Sequence, residues 1–184
     1  MTLRNKRSVS LKTAHKKRHR FRYLVYALLL WGMVVVVVFL SCYKVTRITN
    51  YGMLPTLNKG DVVIVKKGSD VKRHDLVLVN RGTKKHMVLR VIGLPGEKVT
   101  HVRDQLFIND QPVDEKYLVD KVNEATAHGG QVTKDMALSD LGDKAVVPED
   151  CFVLLGDNRP YSNDSRTYGY ITKQQLVGKV TSIW

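Results

Sequence analysis

A mainly β domain carried on one N-terminal membrane-spanning helix is the fold class this sequence predicts, on three observations. Residues 23–43 hold no charged side chain; residues 44–184 break into short runs of branched apolar residues divided by Gly, Asn, Asp or Lys; and no strand-to-helix alternation runs through that second part. The third observation disfavours a doubly wound parallel sheet. With 184 residues in all, one domain of ordinary size remains once tail and span are set apart.

The first element, residues 1–22, is a basic tail with nine Lys/Arg and no Asp or Glu. A net charge of +13 taken alone suggests a nucleic-acid binder. Nine of those charges sit in the tail, however, and only +4 belongs to the rest. A basic tail beside an apolar span is explained by membrane topology, so no nucleic-acid partner is expected.

The second element is a transmembrane helix over residues 23–43, with the core Ala27-Leu28-Leu29-Leu30-Trp31-Gly32-Met33 followed by five valines. At ~1.5 Å per residue it reaches about 31 Å, close to the ~30 Å of a bilayer's hydrocarbon layer. Tyr23, Tyr26 and Tyr43 suit the interfacial aromatic belts. Nine cations precede the span and Lys44 and Arg47 follow it, so the tail is expected in the cytoplasm and the C-terminal domain outside a single-pass cell-membrane protein. The apolar run is too long for a cleaved signal peptide. Phe39-Leu40-Ser41-Cys42 faintly matches a lipoprotein processing site, but bulky Phe39 and Leu40 argue against it. A bridge between Cys42 and Cys151 requires a strand to approach the bilayer, so two free thiols are expected.

The third element, residues 44–184, is the β domain. Strands are expected at Asp61–Val65, Asp75–Val79, His86–Leu94, Gln105–Ile108, Phe152–Leu155 and Leu176–Trp184. Residues 119–148 lack a clean period and contain Gly129-Gly130, which predicts an irregular insertion with one short helix. The six histidines show no ligand spacing with Cys or carboxylates, so neither a metal nor another cofactor is expected.

Three segments carry chemical information: Gly52-Met53-Leu54-Pro55-Thr56-Leu57, Arg90-Val91-Ile92-Gly93-Leu94-Pro95-Gly96, and Gly156-Asp157-Asn158-Arg159 running on to Asp164-Ser165-Arg166. In this order they resemble signature boxes of the type I signal peptidases, and the likeness extends from about residue 22 to the C-terminus. The resemblance implies a signal-peptidase-like domain of coiled antiparallel sheets. It also places the family's nucleophilic serine at Gly52 and its lysine base at Leu89, 37 residues on. Neither side chain can attack a carbonyl or move a proton. Further carry-over puts an oxyanion-stabilising hydroxyl at Asn50, a hydroxyl that bonds the lysine base at Ser162, and a charged pair bracing the cleft at Asp164 and Arg166. Gly156, Asp157, Asn158, Arg159 and Ser165 complete the framework. Tyr51, Met53, Leu54 and Pro55 are left open between the core, the cleft and the bilayer surface.

No neighbour is a convincing substitute. Lys85 shares a strand face with Leu89 but lies roughly 13 Å away along the strand, Lys84 points to the opposite face, and Thr49 needs a different backbone path. Arg90 does not deprotonate near neutral pH. The paired loss is itself physically consistent, because a buried lysine without its serine is an uncompensated charge that Leu89 replaces with apolar burial. The expectation is therefore a protein without peptidase activity. It resembles the inactive signal-peptidase-like proteins with which Gram-positive bacteria assemble sortase-linked pili, which implies a pilin precursor or a sortase as partner. The alternative is an active type I signal peptidase that cleaves signal peptides with a non-standard nucleophile.

Overall fold

The computed structural model describes residues 3–82, 86–142 and 144–184, with side chains from residue 22 onward. The chain divides into two compact units, Met1–Cys42 and Tyr43–Trp184.

The first unit is the helix α1, Leu3–Cys42. Its apolar part, Arg22–Cys42, is 21 residues long with a mean hydropathy of 2.6, long and apolar enough to cross a membrane. Two boundaries differ from the sequence expectation. The helix starts at Leu3, so the basic segment and the span share one helix, as the helix-favouring Lys, Arg and Leu of that segment allow. It also stops at Cys42, and Tyr43 already opens a strand.

Among the described residues the second unit holds eleven strands: β1 Tyr43–Arg47, β2 Val62–Lys67, β3 Leu76–Asn80, β4 His86–Gly93, β5 Val99–Val102, β6 Gln105–Ile108, β7 Gln111–Val113, β8 Met136–Ala137, β9 Cys151–Leu155, β10 Ile171–Thr172 and β11 Leu176–Ile183. Seven of them form one antiparallel sheet in the order β1-β2-β11-β3-β4-β9-β10, and the other four pair as β7-β6-β5-β8. All six strands expected from sequence are present. The insertion holds one short helix, α2 at Val119–Ala127, followed by the two-residue β8. A last helical turn, α3, spans Ser165–Tyr168.

Period-2 alternation sorts the apolar residues of the large sheet into cores on its two faces. Val88 of β4 packs with Val65, Leu78 and Met53, whereas its neighbour Leu89 packs with Val77, Val91 and Leu154. A third core, with Ile92, Val99, Leu106, Val153 and Leu155, joins the two sheets. The crossing point is Gly93, where β4 slips register against β9. A Cβ there would lie 2.5 Å from Val99 Cγ2, so only glycine lets the strand bend from one sheet into the other.

Candidate peptide-binding cleft

Strand β4 pairs with β3 from His86 to Arg90, but its pairing with β9 begins only at Arg90. Along His86–Leu89 one edge of β4 therefore faces not a strand but a cleft of about 1050 Å³. The opposite wall is Thr49–Gly52 with Leu54, and the end wall comes from Asn158, Tyr161, Ser162, Asn163 and Tyr168.

Gly52 is held in place by its backbone. Its N–H donates to Asn50 Oδ1 at 3.1 Å, its carbonyl accepts from the Asn158 N–H at 3.0 Å, and the Asn158 amide donates to the Tyr51 carbonyl at 2.9 Å. A Cβ built on Gly52 would stand 3.3 Å from Ser162 Oγ and 3.4 Å from Asn50 Oδ1, so the space for a side chain has partly closed. Ser162 Oγ is buried and, among the described residues, has no hydrogen-bond partner. Across the cleft Leu89, only 2 % exposed, belongs to the apolar core with Val77 and Leu154. A hydroxyl is present in the cleft, but among the described residues no base is bonded to it.

Beneath the cleft lies a buried charged network that pins its walls together. Arg90 grips Asp157 with two bonds, Nε to Oδ1 at 2.8 Å and Nη2 to Oδ2 at 2.5 Å, and the Thr56 hydroxyl donates to the same carboxylate. The Arg90 guanidinium also stacks 3.8 Å from the Tyr117 ring centroid. Arg159 is 1 % exposed, and its guanidinium donates to both oxygens of Glu115, to Thr133 Oγ1 at 2.9 Å and to the Gly156 carbonyl at 3.1 Å. Glu115 further bonds His101 Nε2 at 2.8 Å and accepts from the Tyr117 hydroxyl. Burial acts to raise the Glu115 carboxyl, but His101, Arg159 and Tyr117 outweigh it and hold it at about 2. The Tyr117 hydroxyl is pushed up by burial and by the Glu115 charge.

Two further ties close the network. Lys121 of α2 donates to the carbonyls of Leu54 at 2.6 Å and Asp157 at 3.3 Å, and burial lowers its pKa. Asp164 caps α3 by accepting from the Arg166 N–H at 3.2 Å, takes the Gly156 N–H at 3.0 Å, and pairs with the Arg166 guanidinium at 2.7 Å. Ser165 Oγ accepts from the Leu154 N–H at 2.9 Å, so the whole Gly156–Arg166 loop is stitched to β9. A Cβ on Gly156 would collide with Ser162 Oγ and the Gly52 carbonyl, which fixes glycine at that turn.

Residues 20–184 match the model of the family described as signal peptidase, peptidase S26. The chain belongs to this family. Over 159 residues it is 35% identical to signal peptidase I of Bacillus caldolyticus, covering 82% of this chain and 86% of that one. Over 170 residues it is 36% identical to signal peptidase I V of Bacillus subtilis, covering 90% and 98%. The crystal structure of a signal peptidase I from Enterococcus faecalis aligns with a TM-score of 0.57 at 31% identity, covering 61% of this chain and 98% of that one. The fold is thus that of the signal peptidases, with an apolar N-terminal helix suited to anchor it in a membrane.

Among the positions singled out in the sequence of this S26 member, Asn50, Tyr51, Gly52, Leu54, Leu89 and Ser162 meet in the cleft. Met53 and Pro55 do not. Met53 is fully buried in the core with Val65 and Leu78, and Pro55 is exposed away from the cleft lining, because successive side chains of this turn point in different directions. Thr49 lines the cleft, Arg90 is committed to Asp157, and Lys84 and Lys85 lie outside the described residues. Glu115, Tyr117 and Lys121 were not anticipated. Lys121 lies in the stretch read as an irregular insertion, with Glu115 and Tyr117 just before it, and only the need of a buried Arg159 for a carboxylate could have pointed to Glu115.

Proposed function

We propose that this protein is a membrane-anchored, non-catalytic member of the signal peptidase family, one that holds an extended peptide in its cleft without cleaving it. The observation that carries this reading is the composition of the cleft. Glycine stands where the nucleophile belongs and leucine where the base belongs, and among the described residues Ser162 Oγ is bonded to no base. Binding needs neither group. The open edge of His86–Leu89 offers main-chain donors and acceptors for strand addition, and Leu54 and Met87 offer apolar surface for side chains.

The process is inferred from the resemblance to inactive signal-peptidase-like proteins of sortase-dependent pilus assembly, with a pilin precursor or the polymerising sortase as the peptide's source. The charge asymmetry about the span supports an orientation with the N-terminus in the cytoplasm and the β domain outside. A second reading has its own support, since the relatives described above carry the name signal peptidase I and Ser162 Oγ supplies a hydroxyl 3.3 Å from the Gly52 Cβ position. On that reading the protein cleaves signal peptides with Ser162 or Thr49 as nucleophile.

One experiment separates the two. Full-length protein in detergent is incubated with a preprotein at concentrations where a complete signal peptidase processes it, and peptide retention is measured in parallel. The expected result is an intact preprotein that is nevertheless bound. Cleavage that disappears with Ser162→Ala or Thr49→Val would establish the second reading.

A further inference from the structure

Arg81 is a cation with no anion to hold. Its guanidinium carbon lies 3.4 Å from the centroid of the Tyr168 ring, a stacked contact. Nε is buried without a hydrogen-bond partner, and among the described residues neither Nη group is buried, bonded to an acceptor or paired with a carboxylate. Arg90, Arg159 and Arg166 beneath the cleft are in the opposite condition, each gripping an acid of its own. The four N–H donors on the two Nη atoms of Arg81 are therefore left for something outside the chain.

Strand register says where those donors lie. Met87 pairs with Val79 and Leu89 with Val77, so these four side chains share one face, and Arg81, two residues past Val79, continues it. Tyr168 packs on the same face and lines the cleft. A strand added at the open edge of His86–Leu89 alternates in the same way, so every second side chain of a bound peptide lies on the face of Met87, Tyr168 and Arg81. Arg81 is rooted two strand spacings from such a peptide, about 10 Å. Its guanidinium spans part of that gap to reach Tyr168, and an acidic side chain reaching back closes the rest. Nothing in the cleft competes for it. No Asp or Glu is among the lining residues, and Asp157 and Asp164 are committed to Arg90 and Arg166. On the opposite wall Lys59 Nζ stands 5.4 Å from the Tyr51 ring centroid, again without an ion pair among the described residues, so both walls carry uncompensated positive charge.

We propose that the cleft selects extended peptides bearing a carboxylate side chain on the Met87 face, and that Arg81 is the residue that reads it. The inference rests on the peptide-holding function proposed above and narrows the occupant to an acidic peptide. Tyr168 fixes the guanidinium plane, so its two Nη groups meet both oxygens of an Asp or Glu with little further ordering. Lys59 acts from the other wall through its charge alone.

The test titrates the full chain in an uncharged detergent with two capped Ser/Val peptides that differ only in a central Glu or Gln, followed by calorimetry. The Glu peptide is expected to bind about tenfold more tightly at low salt, the effect of one charge-assisted bidentate contact. Added salt should shrink that preference and leave the Gln peptide unaffected. Arg81→Gln should abolish the preference while binding the Gln peptide as the native chain does, which also shows that the variant is folded. Arg81→Lys, which keeps the charge without the planar fork, should retain only part of it. Equal binding of the two peptides, or a Glu preference that survives Arg81→Gln, overturns this inference and leaves the peptide-holding function standing. Binding of neither peptide overturns both. Arg81-dependent binding of phosphatidylglycerol vesicles without any Glu preference overturns the acidic-peptide assignment in favour of a lipid contact.

Discussion

Arg159 shows what a single residue does in this fold. A guanidinium that is 1 % exposed is tolerable only because Glu115 neutralises it and Thr133 and a carbonyl absorb its remaining donors. Glu115→Gln removes the charge and keeps the shape, and it is expected to cost about 3 to 5 kcal/mol, read as a lower thermal midpoint. The same carboxylate predicts an acid limb. Its pKa is depressed from 4.5 to about 2, so its contribution is complete above 4.5 and is lost as pH falls through about 2. Native protein should therefore lose stability steeply between those values, and Glu115→Gln should flatten that part of the profile. Gly52→Ser is a milder change. Its Cβ meets Ser162 Oγ and Asn50 Oδ1 at 3.3 and 3.4 Å, so a loss of about 1 kcal/mol is expected with no gain of peptidase activity, because the new hydroxyl still lacks a base.

At the scale of elements, β4 carries both the architecture and the cleft. Its odd face packs Leu89 against Val77 and Leu154. Leu89→Lys would place an ammonium among these side chains, and we expect a fall in thermal midpoint equivalent to about 3 kcal/mol or more. The strand was legible in the sequence because an unbroken run from Met87 to Leu94, with Arg90 its only charge, reads as a strand buried on both sides. The short β7, β8 and β10 were not legible, since two or three residues carry no period, and Pro112 weakens the strand signal of β7. Within the cleft, the box residues Gly52 and Leu89 were found because they interrupt a recognisable frame. Tyr161, Asn163 and Tyr168 were missed, as nothing local distinguishes a cleft-lining tyrosine from an exposed one. Glu115 was invisible for a related reason: its partner lies 44 residues away, and ion pairs leave no spacing rule across such distances.

For the whole molecule, the apolar segment Arg22–Cys42 and the proposed orientation predict the result of proteolysis on intact protoplasts. External protease should digest the β domain and spare the basic N-terminal segment; the opposite pattern would reverse the orientation. Deleting the gene should reduce pilus polymers while secreted proteins are still processed, and accumulation of uncleaved signal peptides with normal polymers would instead identify a working peptidase. The charged network under the cleft gives these expectations a historical side. Arg90–Asp157, Arg159–Glu115 and Asp164–Arg166 hold the walls together without using position 52 or 89. A lineage can thus lose its nucleophile without misfolding, and selection on stability alone would neither resist that loss nor reverse it. The way back is blocked at each single step, since a serine at 52 meets a crowded notch and a lysine at 89 an apolar core. On the proposed non-catalytic reading, such a chain drifts as a stable binding scaffold, free to change which peptide it retains and two simultaneous substitutions away from regaining a nucleophile and its base.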